Sequence, residues 1–168
     1  VGRLDEQKGY DMLIDAWETV HKQHPDWKII IYGNGELHDI LKYAIIQKHL
    51  EDSFILHEPV KDIMNQYLDS SIYVMSSRFE GFGMVLAEAM ACGVPCISFD
   101  CPYGPSDIIK DYVDGLMVEN GNVVQLAQKI SELIEQEAIR KRMGQQAKLN
   151  IKRYSREYII QKWCDLFE

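Results

Sequence analysis

Glu80 and Glu88 bracket a glycine-bearing stretch, Gly81-Phe82-Gly83-Met84-Val85, which precedes a helix-forming run. Glycine lets a backbone approach a ligand closely, and the free amides at a helix start accept an anion. Met84 to Cys92 reads as that helix, stopped by Gly93 and Pro95. Glu88 then lies about one turn in, ~6 Å along the axis from Met84. A carboxylate accepts hydrogen bonds through two oxygens, which suits both hydroxyls of a ribose cis-diol. Glu80, ahead of the glycines, is placed to meet the hydroxyls of a sugar beyond the phosphates. Arg3 and Lys8 add cationic chemistry, a planar fork and a point charge that both suit phosphate oxygens. Taken alone, two basic residues at that spacing are ordinary solvated surface; it is the later segment that gives them a ligand to share.

The elements that must position these residues follow from apolar spacing. A strand-like stub ends near Leu4, and Leu13, Ile14, Trp17 and Val20 predict a helix from Lys8 to His24, before Pro25. Lys28 to Tyr32 is a continuous apolar strand, broken by Gly33-Asn34-Gly35, and a second helix is expected from Glu36 to Lys48. Further strands are expected at Ser53 to Leu56, Ile72 to Met75, Cys96 to Phe99 and Gly115 to Val118. Short helices fall at Ile63 to Leu68 and near Asp107. Two or three more close the chain, over Val123 to Ile134, Glu137 to Ile151 and Arg156 to Phe167. Short strands alternating with helices imply βαβ units, hence an α/β fold with a doubly wound, Rossmann-like parallel sheet. Ligands of such sheets sit beyond the carboxyl ends of the strands. The loops to inspect therefore follow Leu4, Tyr32, Leu56, Met75 and Phe99.

Composition narrows the chemistry. With 168 residues, 46% hydrophobic and 26% charged, the chain suits one globular domain. A net charge of −8 argues against nucleic acid, which needs clustered Lys and Arg. Cys92, Cys96, Cys101 and Cys164 show no C-x-x-C spacing and read as small buried hydrophobes of a reducing compartment. His21 and His24 lack a third ligand and read as surface residues. No P-loop, serine elbow or D-x-D metal motif occurs, no apolar run is long enough to cross a bilayer, and no secretory leader is visible. Gly33-Asn34-Gly35 is a weak dinucleotide fingerprint, because His38 stands where a third glycine would fall. The opening Val1-Gly2-Arg3-Leu4 suggests a fragment beginning at the end of a strand.

The stretch Ser76 to Pro95 resembles the E-x7-E signature of glycosyltransferase family 4 and its GT-B relatives, with Glu80 and Glu88 as the paired glutamates. Gly2-Arg3-Leu4 with Lys8-Gly9 resembles that family's G-R-L…K-G segment, and Gly33-Asn34-Gly35 its G-x-G turn. Cys101 to Ile109 is similar to its G-G-x-P-E-I-I loop, with Asp107 where Glu is usual. His57-Glu58-Pro59-Val60 departs from the glycine often found there. The resemblance spans essentially the whole chain, as the C-terminal half of a GT-B enzyme. It implies that Glu88 binds the ribose, Glu80 the donor sugar, Arg3 and Lys8 the diphosphate. It also implies that backbone from Gly81 to Val85 faces the phosphates or sugar, Gly33 and Gly35 the ligand, and Val60 the base. The implied activity is retaining transfer from a UDP- or GDP-sugar, without metal or other cofactor, in polysaccharide or glycoconjugate synthesis. The saccharide or lipid-linked acceptor would be held by an absent N-terminal domain, toward which helix 156–167 packs, and the fragment alone would be inactive. The implied location is cytoplasmic, free or peripheral to the inner membrane face. A GT-B epimerase or phosphorylase, and a non-enzymatic α/β binding module, are the alternatives. A nicotinamide dehydrogenase would need the missing third glycine.

Overall fold

The computed structural model describes residues 1–167. Asp5 caps a 3-10 turn over Glu6–Lys8 by accepting from the Lys8 amide, and Gly9 (φ 60°, ψ 32°) turns the chain into helix α1, Tyr10–Gln23. The expected start at Lys8 therefore slips by two residues into a tighter turn. Leu13, Ile14, Trp17 and Val20 form the buried stripe of α1, and the Trp17 Nε1–H donates to Ser53 Oγ at 3.2 Å. Strand β1 is Ile29–Tyr32, helix α2 His38–Gln47, strand β2 Phe54–His57 and helix α3 Ile63–Leu68. Helix α2 begins two residues later than its apolar pattern suggests. The Leu37 amide is spent on Leu4 O and the His38 amide on Gly35 O, closing a turn instead. Strand β3 (Tyr73–Met75), helix α4 (Met84–Ala91), strand β4 (Cys96–Phe99), helix α5 (Pro105–Ile108) and strand β5 (Gly115–Val118) follow. Helices α6 (Val123–Glu135), α7 (Glu137–Asn150) and α8 (Arg156–Phe167) complete the described chain.

All strand pairs are parallel, as β1-β2 and as β3-β4-β5. Side-chain alternation sends the two faces into two cores. Ile97, Phe99, Leu116 and Val118 join α1 and α6 on one face. Cys96, Tyr73 and Met75 join residues of α4 and α5 on the other. Helices thus cover both faces, the doubly wound arrangement. The single expected sheet is divided, however: a cavity of about 270 Å³ separates β1 from β3, lined by Trp17, Ile29, Ile31, Tyr73 and Val74 among others. The stub at Val1 to Leu4 is not a strand. Its Gly2 amide donates to Tyr32 O (3.1 Å) and its Leu4 amide to Asn34 O (2.8 Å), running past the carboxyl end of β1.

Two smaller expectations change. Cys96 and Cys101 are buried as expected, and burial pushes both thiols up, Cys101 to about 11. Cys164 instead lies exposed on α8, every described residue of which faces solvent. His21 and His24 are half-buried rather than superficial, with His21 stacked on Trp17 at 6.4 Å. Among the described residues no helix is long and apolar enough to cross a membrane.

Candidate functional site

The site forms where two segments distant in sequence meet at the carboxyl edge of β3. One is the turn Asp5 to Gly9; the other is Ser76 to Glu80, immediately after β3. Gly9 permits the meeting: a Cβ there would lie 2.1 Å from Ser76 O, and its left-handed φ of +60° is one that side chains resist. Ser76 Oγ donates to Lys8 O (2.9 Å), and the Arg78 amide donates to Gln7 O (2.8 Å). Arg78 also grips Asp11 through its two terminal guanidinium nitrogens, at 2.9 and 2.6 Å, and donates to Glu6 O at 2.9 Å. Across this junction Lys8 Nζ reaches Glu80 Oε1 at 2.7 Å, and Ser77 Oγ donates to the same oxygen at 2.7 Å. Glu80 is only 8% exposed, so this orientation is held by packing as well as by its two donors.

Glu88 is placed by different means. Gly83 (φ 87°) caps α4 with no side-chain acceptor, so the first-turn amides of Met84 and Val85 lack intrahelical partners. One turn on, Glu88 is half-buried, and Tyr67 of α3 donates its hydroxyl to Glu88 Oε2 at 3.1 Å. Burial, then the Glu88 charge, push the Tyr67 phenol well above its ordinary range, which keeps it a donor. Phe82 is exposed and meets Tyr154 edge-on at 5.4 Å. The loop after β4 closes the far side: the Glu80 amide donates to Pro102 O (3.2 Å). Gly104 lies so near that its Cβ would sit 2.2 Å from Phe82 O.

The structure sets the 81–85 stretch at the start of α4, as the sequence implied, and brings Lys8 into direct contact with Glu80, a pairing the sequence reading did not draw. Arg3 stands apart, pairing with Asp5 at 3.2 Å with its side chain 77% exposed. Gly33 and Gly35 have a packing reason for being glycine. Their Cβ atoms would lie 1.8 Å from Gly2 O and 2.5 Å from Leu4 O, so they admit the chain start against the β1 turn. Val60 is half-buried in the loop after β2, at the same sheet edge. A cavity of about 270 Å³ lies away from the glutamates, in the slot between β1 and β3, and a void of about 10 Å³ is lined by Lys8, Tyr10 and Ser77.

Sequence reasoning missed Tyr67, Ser77 and the Arg78–Asp11 clamp. Ser77 sits inside the motif and could have been read as a donor three residues before Glu80. Nothing in the spacing of Tyr67 or Asp11 points to their partners, which are 21 and 67 residues away.

Parallel strands with helices on both faces, and a site at their carboxyl edge, define the class of protein: an α/β domain of the GT-B architecture. The chain belongs to the family "Glycosyl transferases group 1", whose model matches residues 1–150. It is 41% identical to the amylovoran biosynthesis glycosyltransferase AmsD of Erwinia amylovora, over 99% of this chain and 46% of that protein. A crystal structure of an S. aureus TarM mutant in complex with fondaparinux, alpha-GlcNAc-glycerol and UDP superposes with a TM-score of 0.93. That match has 34% identity and covers 99% of this chain and 34% of that one. The C-terminal domain of a glycosyl transferase group 1 family protein (LpcC) from Francisella tularensis superposes at 0.83, with 28% identity. It covers 90% of this chain and 82% of that one. The chain thus spans less than half the length of the curated relatives it matches first, 46% and 34% for two of them.

Proposed function

We propose that residues 1–168 are the nucleotide-sugar-binding C-terminal domain of a retaining glycosyltransferase of family 4. The enzyme passes a sugar from a UDP- or GDP-sugar to an acceptor hydroxyl in polysaccharide or glycoconjugate synthesis. The observation that carries this reading is the Lys8–Glu80 contact of 2.7 Å beside the uncapped start of α4. A cation, a carboxylate and helix-start amides a few residues further along the chain support a site for an anionic, hydroxyl-bearing ligand. In the reaction the bond between the anomeric carbon and the diphosphate oxygen breaks while the acceptor oxygen bonds that carbon. Negative charge gathers on the leaving diphosphate, where Lys8, the exposed fork of Arg3 and the amides of Met84 and Val85 stabilise it without a metal. The acceptor's proton passes to a leaving phosphate oxygen. Glu80 keeps Oε2 for donor-sugar hydroxyls, since Lys8 and Ser77 occupy Oε1; Glu88 accepts from the ribose; Gly33, Gly35 and Val60 border the base side.

The presence of UDP with TarM, at 34% identity, favours uridine as the base. The saccharide or lipid-linked acceptor is held by a domain outside these residues, for which the exposed Ile160, Trp163 and Phe167 of α8 offer an apolar surface. By itself this domain binds donor without turnover. We place the enzyme in the cytoplasm, at the inner membrane face when the acceptor is lipid-linked. Calorimetric titration of the chain with UDP and with GDP, in the presence of a chelator, tests the reading. Weak binding of one nucleotide is expected, and absence of binding, or strict dependence on Mg²⁺, overturns the site.

A further inference from the structure

Tyr67 has a buried phenol whose hydroxyl could be absent without loss of ring packing, yet it is there and aimed at one group. Its ring is 2% exposed and rests edge-on against Tyr73 at 5.7 Å. Helix α3, which carries it, is fixed at its start by Asp62, whose two oxygens accept from the Asn65 amide (3.4 Å) and the Asn65 side chain (2.6 Å). The hydroxyl's partner is Glu88 Oε2, 3.1 Å away on the neighbouring helix. A glutamate on a helix surface has three rotatable side-chain bonds and sweeps a wide arc. Fixing one oxygen collapses that arc and presents the other in a single place.

We infer that Tyr67 is the positioning residue that makes Glu88 discriminate ribose from 2′-deoxyribose in the bound nucleotide. The inference rests on the proposed donor-binding reading and adds to it the device that sets sugar selectivity. Oε2 is tied to the phenol and Oε1 is left to accept from the ribose hydroxyls. A ligand lacking the 2′-hydroxyl loses one bond to a charged acceptor, which corresponds to about tenfold or more in affinity. Without the tether the carboxylate must be ordered by the ligand itself, so the advantage of the extra hydroxyl shrinks.

The same logic governs Glu80, whose Oε1 is held by Lys8 and Ser77. The two carboxylates differ in their tethers: Glu80 is held by a cation and a hydroxyl, Glu88 by a neutral phenol. A neutral donor orients Glu88 without cancelling its charge, leaving it a strong acceptor.

The test compares dissociation constants of UDP with 2′-deoxy-UDP, and of GDP with 2′-deoxy-GDP, for the chain and for Tyr67→Phe. The chain is expected to prefer the ribonucleotide about tenfold or more. In Tyr67→Phe with an unchanged circular dichroism spectrum, the preference is expected to fall below about threefold, with deoxynucleotide affinity unaltered. In a Glu88→Ala background, Tyr67→Phe should have no further effect. Should the phenylalanine variant lose its fold, Tyr67→Met supplies a second replacement without the hydroxyl. A folded variant that keeps the full preference, or weakens both nucleotides equally, overturns the positioning role and leaves the donor site standing. A parent chain that binds nucleotide without any ribose preference overturns the role together with the assignment of Glu88.

Discussion

Two glycines of the site are glycine for different reasons, and alanine at each separates stability from binding. At Gly9 an added Cβ would lie 2.1 Å from Ser76 O and 2.7 Å from the Met12 methyl, at a φ of +60°. The left-handed conformation costs an L-residue about 1–2 kcal/mol. Moving a packed backbone to relieve the overlap costs about 1–3 kcal/mol more. Gly9→Ala is therefore expected to lose about 2–5 kcal/mol, which for a domain of this size lowers Tm by about 6–15 °C. Nucleotide binding should weaken with it, because Lys8 moves off Glu80. At Gly81 a Cβ meets nothing within 4 Å, so Gly81→Ala should change stability by less than about 0.5 kcal/mol. If backbone at that loop faces the donor, the methyl group stands in the ligand's approach and binding falls while Tm holds. Thermal melts and calorimetry on both variants read this out. A Gly9→Ala protein melting within about 3 °C of the parent refutes the packing argument. A Gly81→Ala protein with unchanged binding refutes the role of the loop.

Other perturbations follow from the same geometry. Glu88→Ala should weaken nucleotide binding roughly 10- to 150-fold, the worth of one bond to a charged acceptor; unaltered calorimetric affinity in a folded variant counts against its ribose contact. Hydrogen bonding from Arg78 holds the Asp11 carboxyl below its usual range. A lowered folded pKa gives stability that is present above about pH 4 and is lost as the pH falls through the folded value. Asp11→Asn should thus be less stable than the parent at pH 7, by under about 1 kcal/mol because the pair is partly exposed. The gap should close in acid, and a pH-independent gap in urea denaturation refutes the clamp. Native thiol labelling followed by mass spectrometry should modify Cys164 first and Cys101, whose thiol is pushed up to about 11, far more slowly; comparable rates would contradict the burial of Cys101.

The order of elements was legible because each depends on near neighbours. The stripe Leu13, Ile14, Trp17, Val20 specifies α1, and the run Ile29-Ile30-Ile31 specifies β1. Boundaries were less so: Lys8 and Glu36 had helical patterns, but capping by Asp5 and bonding of Leu37 to Leu4 O claimed those turns first. In the site, the motif pointed to the stretch around Glu80 and Glu88 and to Lys8 as part of the same ligand's surroundings, but not to the direct Lys8–Glu80 contact. The supports of those residues were not inferable. Tyr67 and the Arg78–Asp11 clamp act across α3, α4 and α1, and no local period encodes such pairs. At Gly33 and Gly35 the sequence could not reveal the packing demand, because close approach of any backbone, a ligand's or the chain's own, asks for the same residue.

The junction of Lys8 with Glu80 joins residues 72 apart in sequence. Closing so long a segment has an entropic cost that the packing of the two cores offsets. On the proposed donor-binding reading, nucleotide binds the folded domain and not the unfolded chain. A ligand at 100 times its dissociation constant would then add about 2.7 kcal/mol to global unfolding, not merely to the loops it touches. Amides deep in α1 and β3 should slow their hydrogen exchange on binding, a signature that a purely local ordering of the loops would not produce.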